Sequence, residues 1–360
     1  MSKRVFNFYP GPATLPLPAL ERAKDEFLDF EGMGMSVLEV SHRSKQYDAV
    51  HHEAMGLVKE LFGLGDNYHV LFLQGGASLQ FAMVPMNLLG PGESADYINT
   101  GSWSKKAIKE AKIIAKANVA ASSEDKNFTY IPKEYNFDPN AKYVHLTTNN
   151  TIAGTQYHSF PDTKGKPIVA DMSSDIFWRP IDPNPFGIIY AGAQKNMGPA
   201  GVTLVILRDD ILAACREGLP TLLSYKTHVD KESLFNTCPV FSIYMVRNVL
   251  AWVKEEGGLK EMEKLNRKKG DLLYDVIDSN PDFFNAPVAK DSRSYMNAVF
   301  RLPSEDLEKQ FITETTARDM IGLKGHRSVG GIRVSMYNAM PFKGVQKLVD
   351  FMEDFAKKHG

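Results

Sequence analysis

The stretch "YAGAQKNMGPAG", Tyr190 to Gly201, decides the fold because it places a single lysine, Lys195, between two apolar runs. The run "FGIIYAGA" precedes Lys195, and the run "GPAGVTLVIL" follows it. Short runs that are apolar throughout are typical of strands in a sheet covered on both faces. Lys195 therefore follows a buried strand, where it is either a solvated charge at a turn or a nucleophile at the floor of a site.

On either side of this stretch, short apolar runs alternate with amphipathic helical segments. We predict strands at 68–73, 94–100, 142–148 and 166–171, and helices at 77–89 and 102–117. This alternation favours a doubly wound α/β domain. After a long helical region interrupted at Gly257-Gly258, the order strand, helix, strand, helix predicts a second, compact α/β domain. The charged clusters "KKAIKEAK" and "NRKK" are interpreted as solvated helix faces.

Composition excludes several classes of protein. The 360 residues carry a net charge of −1, so no bulk field attracts nucleic acid or membrane. The two cysteines, Cys215 and Cys238, have no CxxC or zinc spacing, which indicates a reducing compartment and no metal site. The start "MSKRVFNFYPGPATLP" lacks the apolar segment of a secretory signal, and no apolar run is long enough to span a bilayer. We expect a cytoplasmic protein.

Ligands of open α/β sheets bind beyond the carboxyl ends of the strands, so the residues that follow each strand matter most. The run "QGGASLQ" enters a helix, where its backbone N–H groups and Ser78 form an anion cradle. A tight turn explains its two glycines equally well. The next strand leads into "GSWSKK", which puts Trp103 in the first turn of a helix. Trp103 is there either for core packing or as a flat platform for a ring.

Three further side chains follow strands at the same edge of the predicted sheet. Thr151 lies in a polar loop, where a turn or capping hydroxyl is the common role. Asp171 ends an apolar strand, and its buried carboxylate requires a partner, either a helix N-terminus or a protonated ring nitrogen. Desolvation of Lys195 favours the free amine that attacks a carbonyl, and no carboxylate lies nearby in sequence to make it structural.

Together these groups meet the requirements of pyridoxal 5′-phosphate. This cofactor needs an amine for its aldehyde, an acid at its pyridinium nitrogen, a cradle for its phosphate and a platform for its ring. The occurrence of all these groups in this order along the chain indicates the cofactor far more specifically than any one of them does. We therefore predict pyridoxal 5′-phosphate as the cofactor.

With these residues in place, the sequence resembles the phosphoserine aminotransferases, class V aminotransferases of fold type I, over essentially its whole length. The resemblance rests on eight stretches: "FYPGPATLP", "VSHRSKQYD", "LQGGAS", "NTGSWS", "VADMSSD", "GAQKNMGPAG", "FNTCP" and "GHRSVGGIRVSMYNAM". It implies a large domain, residues 16–258, with a mainly parallel seven-stranded sheet between helices. It also implies a smaller α/β domain made of residues 1–15 and 259–360.

The resemblance also implies roles for the site residues. Lys195 would bond to the cofactor and move the proton, Asp171 would hold the pyridinium, and Trp103 would stack on the ring. Thr151 would hydrogen-bond the phenolic oxygen. The cofactor phosphate would be held by five residues, the last two from the partner chain of a homodimer: Ala77, Ser78, Gln194, Asn236 and Thr237. From the residues alone, "FNTCP" is only a polar turn before a helix.

The implied substrates are L-glutamate and 3-phosphohydroxypyruvate, which give 2-oxoglutarate and O-phospho-L-serine in serine biosynthesis. Each carries an α-carboxylate and a second anion, which planar guanidinium groups bind well. Arg333 would bind the α-carboxylate, and four residues would contact the second anion: His42, Arg43, His326 and Arg327. Use of 3-hydroxy-2-oxo-4-phosphooxybutanoate in pyridoxine biosynthesis stays open. Ala77-Ser78-Leu79 stands where one branch of the family has Gly-Arg, so this loop's share in anion binding is also open.

Three alternatives remain. Another fold-type I aminotransferase would act on a small oxo acid such as glyoxylate or pyruvate, but the arginines and histidines argue for a second anion. A cysteine desulfurase needs a reactive cysteine in a flexible loop, and neither Cys215 nor Cys238 has that setting. A non-catalytic protein of the same fold would be indicated by loss of Lys195 or Asp171, and both are present.

Overall fold

The computed structural model describes residues 4–360, which form a central sheet between helices and a smaller α/β region. The strands are β1 (Phe6–Asn7), β2 (Tyr68–Leu73), β3 (Ser94–Asn99), β4 (Lys116–Ser122), β5 (Val144–Thr147), β6 (Asn149–Asn150), β7 (Thr155–Gln156), β8 (Ile168–Asp171), β9 (Phe186–Gly192), β10 (Thr203–Arg208), β11 (Asn297–Phe300), β12 (Met320–Ile321) and β13 (Ile332–Ser335). The helices are α1 (Leu17–Asp25), α2 (Lys45–Phe62), α3 (Gly76–Leu88), α4 (Ser102–Ile114), α5 (Asp209–Ala213), α6 (Tyr225–Asp230), α7 (Val240–Glu255), α8 (Gly258–Ser279), α9 (Glu305–Ala317) and α10 (Phe342–His359).

The central sheet has seven strands in the order β2-β10-β9-β8-β5-β3-β4, and only β10 runs antiparallel to its neighbours. The prediction of a mainly parallel seven-stranded sheet is therefore confirmed. All seven residues of β9 are buried, as expected for a strand covered on both faces. Because β2, β3, β5, β8 and β9 run the same way, the segments that follow them meet at one edge of the sheet.

The predicted helix over 102–117 is wrong at its end. Helix α4 stops at Ile114, Ala115 adopts an extended backbone, and β4 begins at Lys116 and pairs with β3. The sequence of this strand, "KANVAAS", does not indicate a strand, because alanine and lysine favour helices. It also lies at the edge of the sheet, where a regular alternation of apolar residues is not required. Pairing with β3 overrides the local helix propensity.

A separate hydrophobic core lies in the C-terminal region. It gathers side chains from α8, α9, α10, β11 and β13 together with Phe8, whereas two other clusters lie within the region of the central sheet. Strand β1 pairs with β12, which ties the N-terminal segment to this region. The separate core supports a second domain. The boundaries at 15/16 and 258/259 stay predictions, and residues 1–3 lie outside the described residues.

The cluster "NRKK" is not a solvated face, because Asn266 and Lys269 are fully buried in α8. The Nζ of Lys269 donates to the carbonyls of Met336, Tyr337 and Met340 at 3.0, 2.8 and 3.1 Å. Burial lowers the pKa of Lys269 to about 7. These three carbonyl oxygens satisfy the buried ammonium in place of a carboxylate, and the hydrogen bonds hold the loop that follows β13 against α8.

Within residues 4–360, no helix is long and apolar enough to cross a membrane.

Candidate active site

Lys195 lies in the turn that follows β9, at the edge of the sheet where the sequence predicts a site. Its Nζ donates to Thr151 Oγ1 at 3.1 Å and lies 5.6 Å from the centroid of the Trp103 ring. Burial lowers the pKa of Lys195 to about 8, Asp171 acts in the opposite direction, and Arg333 adds to the lowering. About a tenth of this amine is therefore uncharged at pH 7 and about half at pH 8, so it is far more nucleophilic near neutral pH than the amine of an ordinary lysine.

We expect the reactivity of Lys195 in the cofactor-free protein to rise with pH through a midpoint near 8. Its lowered pKa means that the ammonium dominates below this pH and the free amine above it. Competitive acetylation with acetic anhydride, followed by peptide mass spectrometry, measures this midpoint directly. The ε-amine of a short lysine-containing reference peptide in the same reaction mixture is the control, with an expected midpoint of about 10.4. In Asp171→Asn the Lys195 midpoint should fall further, because the charge that raises this pKa is gone. A Lys195 midpoint equal to that of the reference peptide would contradict the account.

Asp171 ends β8 and is only 4% exposed. Its Oδ1 accepts hydrogen bonds from Ser173 N at 3.0 Å and Ser173 Oγ at 2.6 Å, while Oδ2 has no hydrogen-bond partner within residues 4–360. Burial raises the pKa of Asp171, and the hydrogen bonds of Ser173 and the charge of Lys195 oppose this shift. Residues 173–177 form turns and not a helix, so Asp171 does not cap a helix. One carboxylate oxygen stays available to a protonated ring nitrogen.

Trp103 and Thr151 both lie close to the amine of Lys195. Trp103 is in the first turn of α4, partly buried, and its Nε1 is buried without a partner. Thr151 is buried, and its hydroxyl accepts from Lys195 while its carbonyl accepts from Arg333 Nη1 at 3.4 Å. The ring and the hydroxyl that the sequence singles out therefore both face the predicted nucleophile.

The glycine-rich turn after β2 leads directly into α3. Gly75 and Gly76 have φ values of +86° and +66°, which glycine adopts without strain. No side chain caps α3, so its first backbone N–H groups remain free for an anion. Ala77 and Ser78 form the first turn, and the Ser78 hydroxyl is exposed and makes no hydrogen bond within residues 4–360. The turn has the features of the predicted phosphate cradle.

Arg333 is a buried guanidinium with no carboxylate partner within residues 4–360. It lies on β13, is 7% exposed, and its single hydrogen bond goes to the carbonyl of Thr151. Its Nε is buried without a partner, and burial lowers its pKa. An unpaired buried cation is costly, so an anionic ligand is the expected partner.

His326 and Arg327 lie in the exposed loop before β13. His326 Nδ1 is 2.7 Å from Ser328 Oγ. Burial lowers the pKa of His326, and the charges of Arg333, Arg327 and Lys106 lower it further. These cations and His326 therefore share one region of positive charge beside Lys195.

No hydrogen bond, ion pair or ring contact joins four of the predicted site residues to Lys195, Asp171, Trp103 or Arg333: His42, Arg43, Asn236 and Thr237. His42 is partly buried with Nε2 unpartnered, and Arg43 is exposed. Asn236 Nδ2 donates a hydrogen bond to Gln74 Oε1 at 3.2 Å, and Gln74 stands at the start of the glycine-rich turn of the same chain. Thr237 is the next residue after Asn236. The roles of these four residues stay predictions.

Sequence reasoning missed two contributions to the site. The N-terminal segment passes against it: Ala13 N donates to the carbonyl of Gln194 at 2.9 Å, and a Cβ on Gly11 would lie 3.2 Å from Lys195 Cγ. The cluster "KKAIKEAK" is exposed as predicted, but Lys106 Nζ lies 4.3 Å from the centroid of the Trp103 ring. The spacing of three residues on a helix was the available signal for this second contact.

Comparison with known proteins shows the family of this chain. The family model "Aminotransferase class-V" matches residues 5–348. The phosphoserine aminotransferase of Desulfosudis oleivorans is 61% identical over 100% of both chains. The solved phosphoserine aminotransferase from Bacillus circulans subsp. alkalophilus is 53% identical, covers 100% of both chains and superposes with a TM-score of 0.97. The pyridoxal-phosphate-bound phosphoserine aminotransferase of Trichomonas vaginalis is 38% identical over 97% of this chain and 100% of that one, with a TM-score of 0.92.

The fold and the family match define a fold-type I aminotransferase. The alignment with the Desulfosudis oleivorans protein covers the whole of both chains. The chain belongs to the class-V aminotransferase family, and within that family it groups with the phosphoserine aminotransferases.

Proposed function

We propose that this protein transfers the amino group between L-glutamate and 3-phosphohydroxypyruvate with pyridoxal 5′-phosphate as cofactor. The products are 2-oxoglutarate and O-phospho-L-serine. The observation that carries the proposal is the pairing of an amine of lowered pKa, Lys195, with a buried guanidinium, Arg333, that has no carboxylate partner within residues 4–360. The first group suits chemistry at a carbonyl, and the second suits a substrate carboxylate.

The residues around Lys195 fit pyridoxal phosphate. Asp171 leaves one oxygen for the pyridinium, the uncapped start of α3 suits the phosphate, and Thr151 suits the phenolic oxygen. The Trp103 ring offers a flat face close to Lys195. When bound, this cofactor supplies an electron sink that stabilises negative charge at the substrate α-carbon. Ala77, Ser78 and Gln194 would hold its phosphate.

The protein's own groups then perform the proton transfer and the binding. Lys195 Nζ would take the proton from the substrate α-carbon and deliver it to the carbon on the other side of the transferred nitrogen, two bonds away. Its pKa near 8 suits both directions, since a general base works best close to the ambient pH. The hydrogen bond to Thr151 keeps Nζ at the site.

Arg333 would bind the α-carboxylate, with β13 as a rigid support. Lys269 fastens the loop after this strand, and the strand pairs with β11. His326 and Arg327 would contact the second anion, together with His42 and Arg43. A planar guanidinium on a fixed strand orients the substrate through two parallel hydrogen bonds.

We further propose a cytoplasmic homodimer in which Asn236 and Thr237 reach the partner's cofactor phosphate. Apolar side chains exposed near the N-terminus and before α7 support such an association, since an interface between two copies would remove them from water. Leu28 is 80% exposed, and four other apolar residues are exposed as well: Phe27, Met35, Leu38 and Phe235. Two buried, unbridged cysteines, Cys215 and Cys238, suit a reducing compartment.

The competing function is amino transfer to a small oxo acid. It does not use the positive region around His326, Arg327 and Arg333, because glyoxylate and pyruvate have no second anion. With L-glutamate as donor, we expect kcat/KM for 3-phosphohydroxypyruvate to exceed that for glyoxylate or pyruvate by about 10²-fold or more. Formation of 2-oxoglutarate, followed with a coupled dehydrogenase, measures all three. Equal or better use of glyoxylate would overturn the proposal and favour the alternative.

A further inference from the structure

The indole ring of Trp103 lies beside two lysines. Lys106, one helical turn further along α4, has its Nζ 4.3 Å from the ring centroid, whereas Lys195 Nζ lies 5.6 Å from it. A cation within about 6 Å of an indole centroid is attracted to the ring. This attraction holds the exposed ammonium of Lys106 against the Trp103 ring at the edge of the active site, so the side chain samples fewer conformations in solvent.

Lys106 forms no ion pair with the carboxylate nearest to it on the helix. Glu110 is four residues further along the same helix, the spacing at which lysine and glutamate side chains meet, but the two form no ion pair. Lys105, the residue before Lys106, does form an ion pair, with Glu124. Within residues 4–360, Lys106 makes no hydrogen bond or ion pair, so its ammonium can accept an anionic ligand.

The charges around Lys106 are of one sign. It contributes, with Arg333 and Arg327, to the positive field at His326, while burial of that ring is the main cause of its lowered pKa. None of Lys106, Arg327 and Arg333 has a carboxylate partner within residues 4–360. Like charges gathered without acidic partners repel one another, and they are stabilised when an anion binds between them.

We propose that Lys106 is a specificity-determining residue that binds the second anion of the substrate and favours a phosphate over a carboxylate. The inference rests on the proposed function and extends it. A phosphate monoester carries close to two charges at pH 8 and a side-chain carboxylate carries one, so one ammonium attracts the phosphate about twice as strongly. Lys106 thereby adds selectivity to a site whose His-Arg pairs bind either anion.

The test compares Lys106→Met with Lys105→Met in the cofactor-loaded protein. Methionine keeps the length and apolar stem of lysine but removes its charge. For the half-reaction we expect Lys106→Met to lower kcat/KM with O-phospho-L-serine about tenfold, and with L-glutamate about threefold or less. Lys105→Met should leave both within about twofold, since an exposed ion pair contributes little. Lys106→Arg should restore the selectivity ratio.

A second readout does not depend on turnover. Inorganic phosphate should bind the cofactor-loaded protein several-fold more weakly in Lys106→Met than in Lys105→Met, as measured by calorimetry. If Lys106→Met lowers kcat/KM equally for both amino acids and leaves phosphate binding unchanged, Lys106 only packs on Trp103 and the inference fails. If the unsubstituted protein does not use O-phospho-L-serine at all, the proposed function fails and the inference falls with it.

Discussion

Replacement of Lys195 by alanine is expected to lower turnover by about 10⁴-fold or more, because the substitution removes both the nucleophile and the proton carrier. The fold should persist. Lys195 makes one side-chain hydrogen bond, to Thr151, and its removal takes a charged group out of a desolvated position. The measurement is the rate of 2-oxoglutarate formation with saturating substrates, together with the thermal unfolding midpoint.

Lys195→Arg is the matched control for this substitution. Arginine keeps a positive charge at the site, but it stays protonated at all relevant pH values and cannot act as a free amine. We expect Lys195→Arg to be as inactive as the alanine variant. Turnover near the parent rate in either variant would show that the nucleophile has been assigned to the wrong residue.

Replacement of Arg333 by glutamine is expected to have the second largest effect. Loss of a buried charged partner costs about 2–5 kcal/mol in binding, which corresponds to a fall in kcat/KM of about 30-fold to several thousand-fold. The effect should appear with O-phospho-L-serine and L-glutamate alike, since both carry the α-carboxylate. The unfolding midpoint should stay the same or rise, because the unpaired buried guanidinium is an unfavourable group in the free protein.

Arg333→Lys separates charge from geometry at the same position. Lysine keeps the charge but lacks the planar pair of donors that matches a carboxylate, so we expect it to recover only part of the lost kcat/KM. A glutamine variant that loses stability but keeps its kcat/KM would mean that Arg333 is structural. In that case the α-carboxylate site would have to lie elsewhere.

Local patterns in the sequence predict most of the large sheet and its site edge. Strands β2, β8 and β9 are largely apolar, and β5 carries Val144 and Leu146, so the positions of these strands and the residues that follow them could be predicted directly. That is why Lys195, Asp171, Trp103 and Thr151 fall within one site. Arg333 was placed there only by family resemblance, since nothing local distinguishes it from a surface arginine.

The predictions that failed depend on contacts distant in sequence. β4 is a strand because β3 lies beside it, and its own residues favour a helix. Lys269 is buried because three carbonyls of a loop almost seventy residues later accept from it, which no helical pattern reveals.

The most direct test is the visible absorption spectrum of the cofactor-loaded protein during titration with O-phospho-L-serine and, separately, with L-alanine. Our account predicts that the pyridoxal phosphate band converts to that of pyridoxamine phosphate with O-phospho-L-serine and hardly changes with L-alanine. A band that responds only to L-alanine would support pyridoxal phosphate as the cofactor but contradict the assignment of a phosphorylated substrate. A protein that acquires no band after addition of pyridoxal phosphate would contradict the assignment of Lys195 itself.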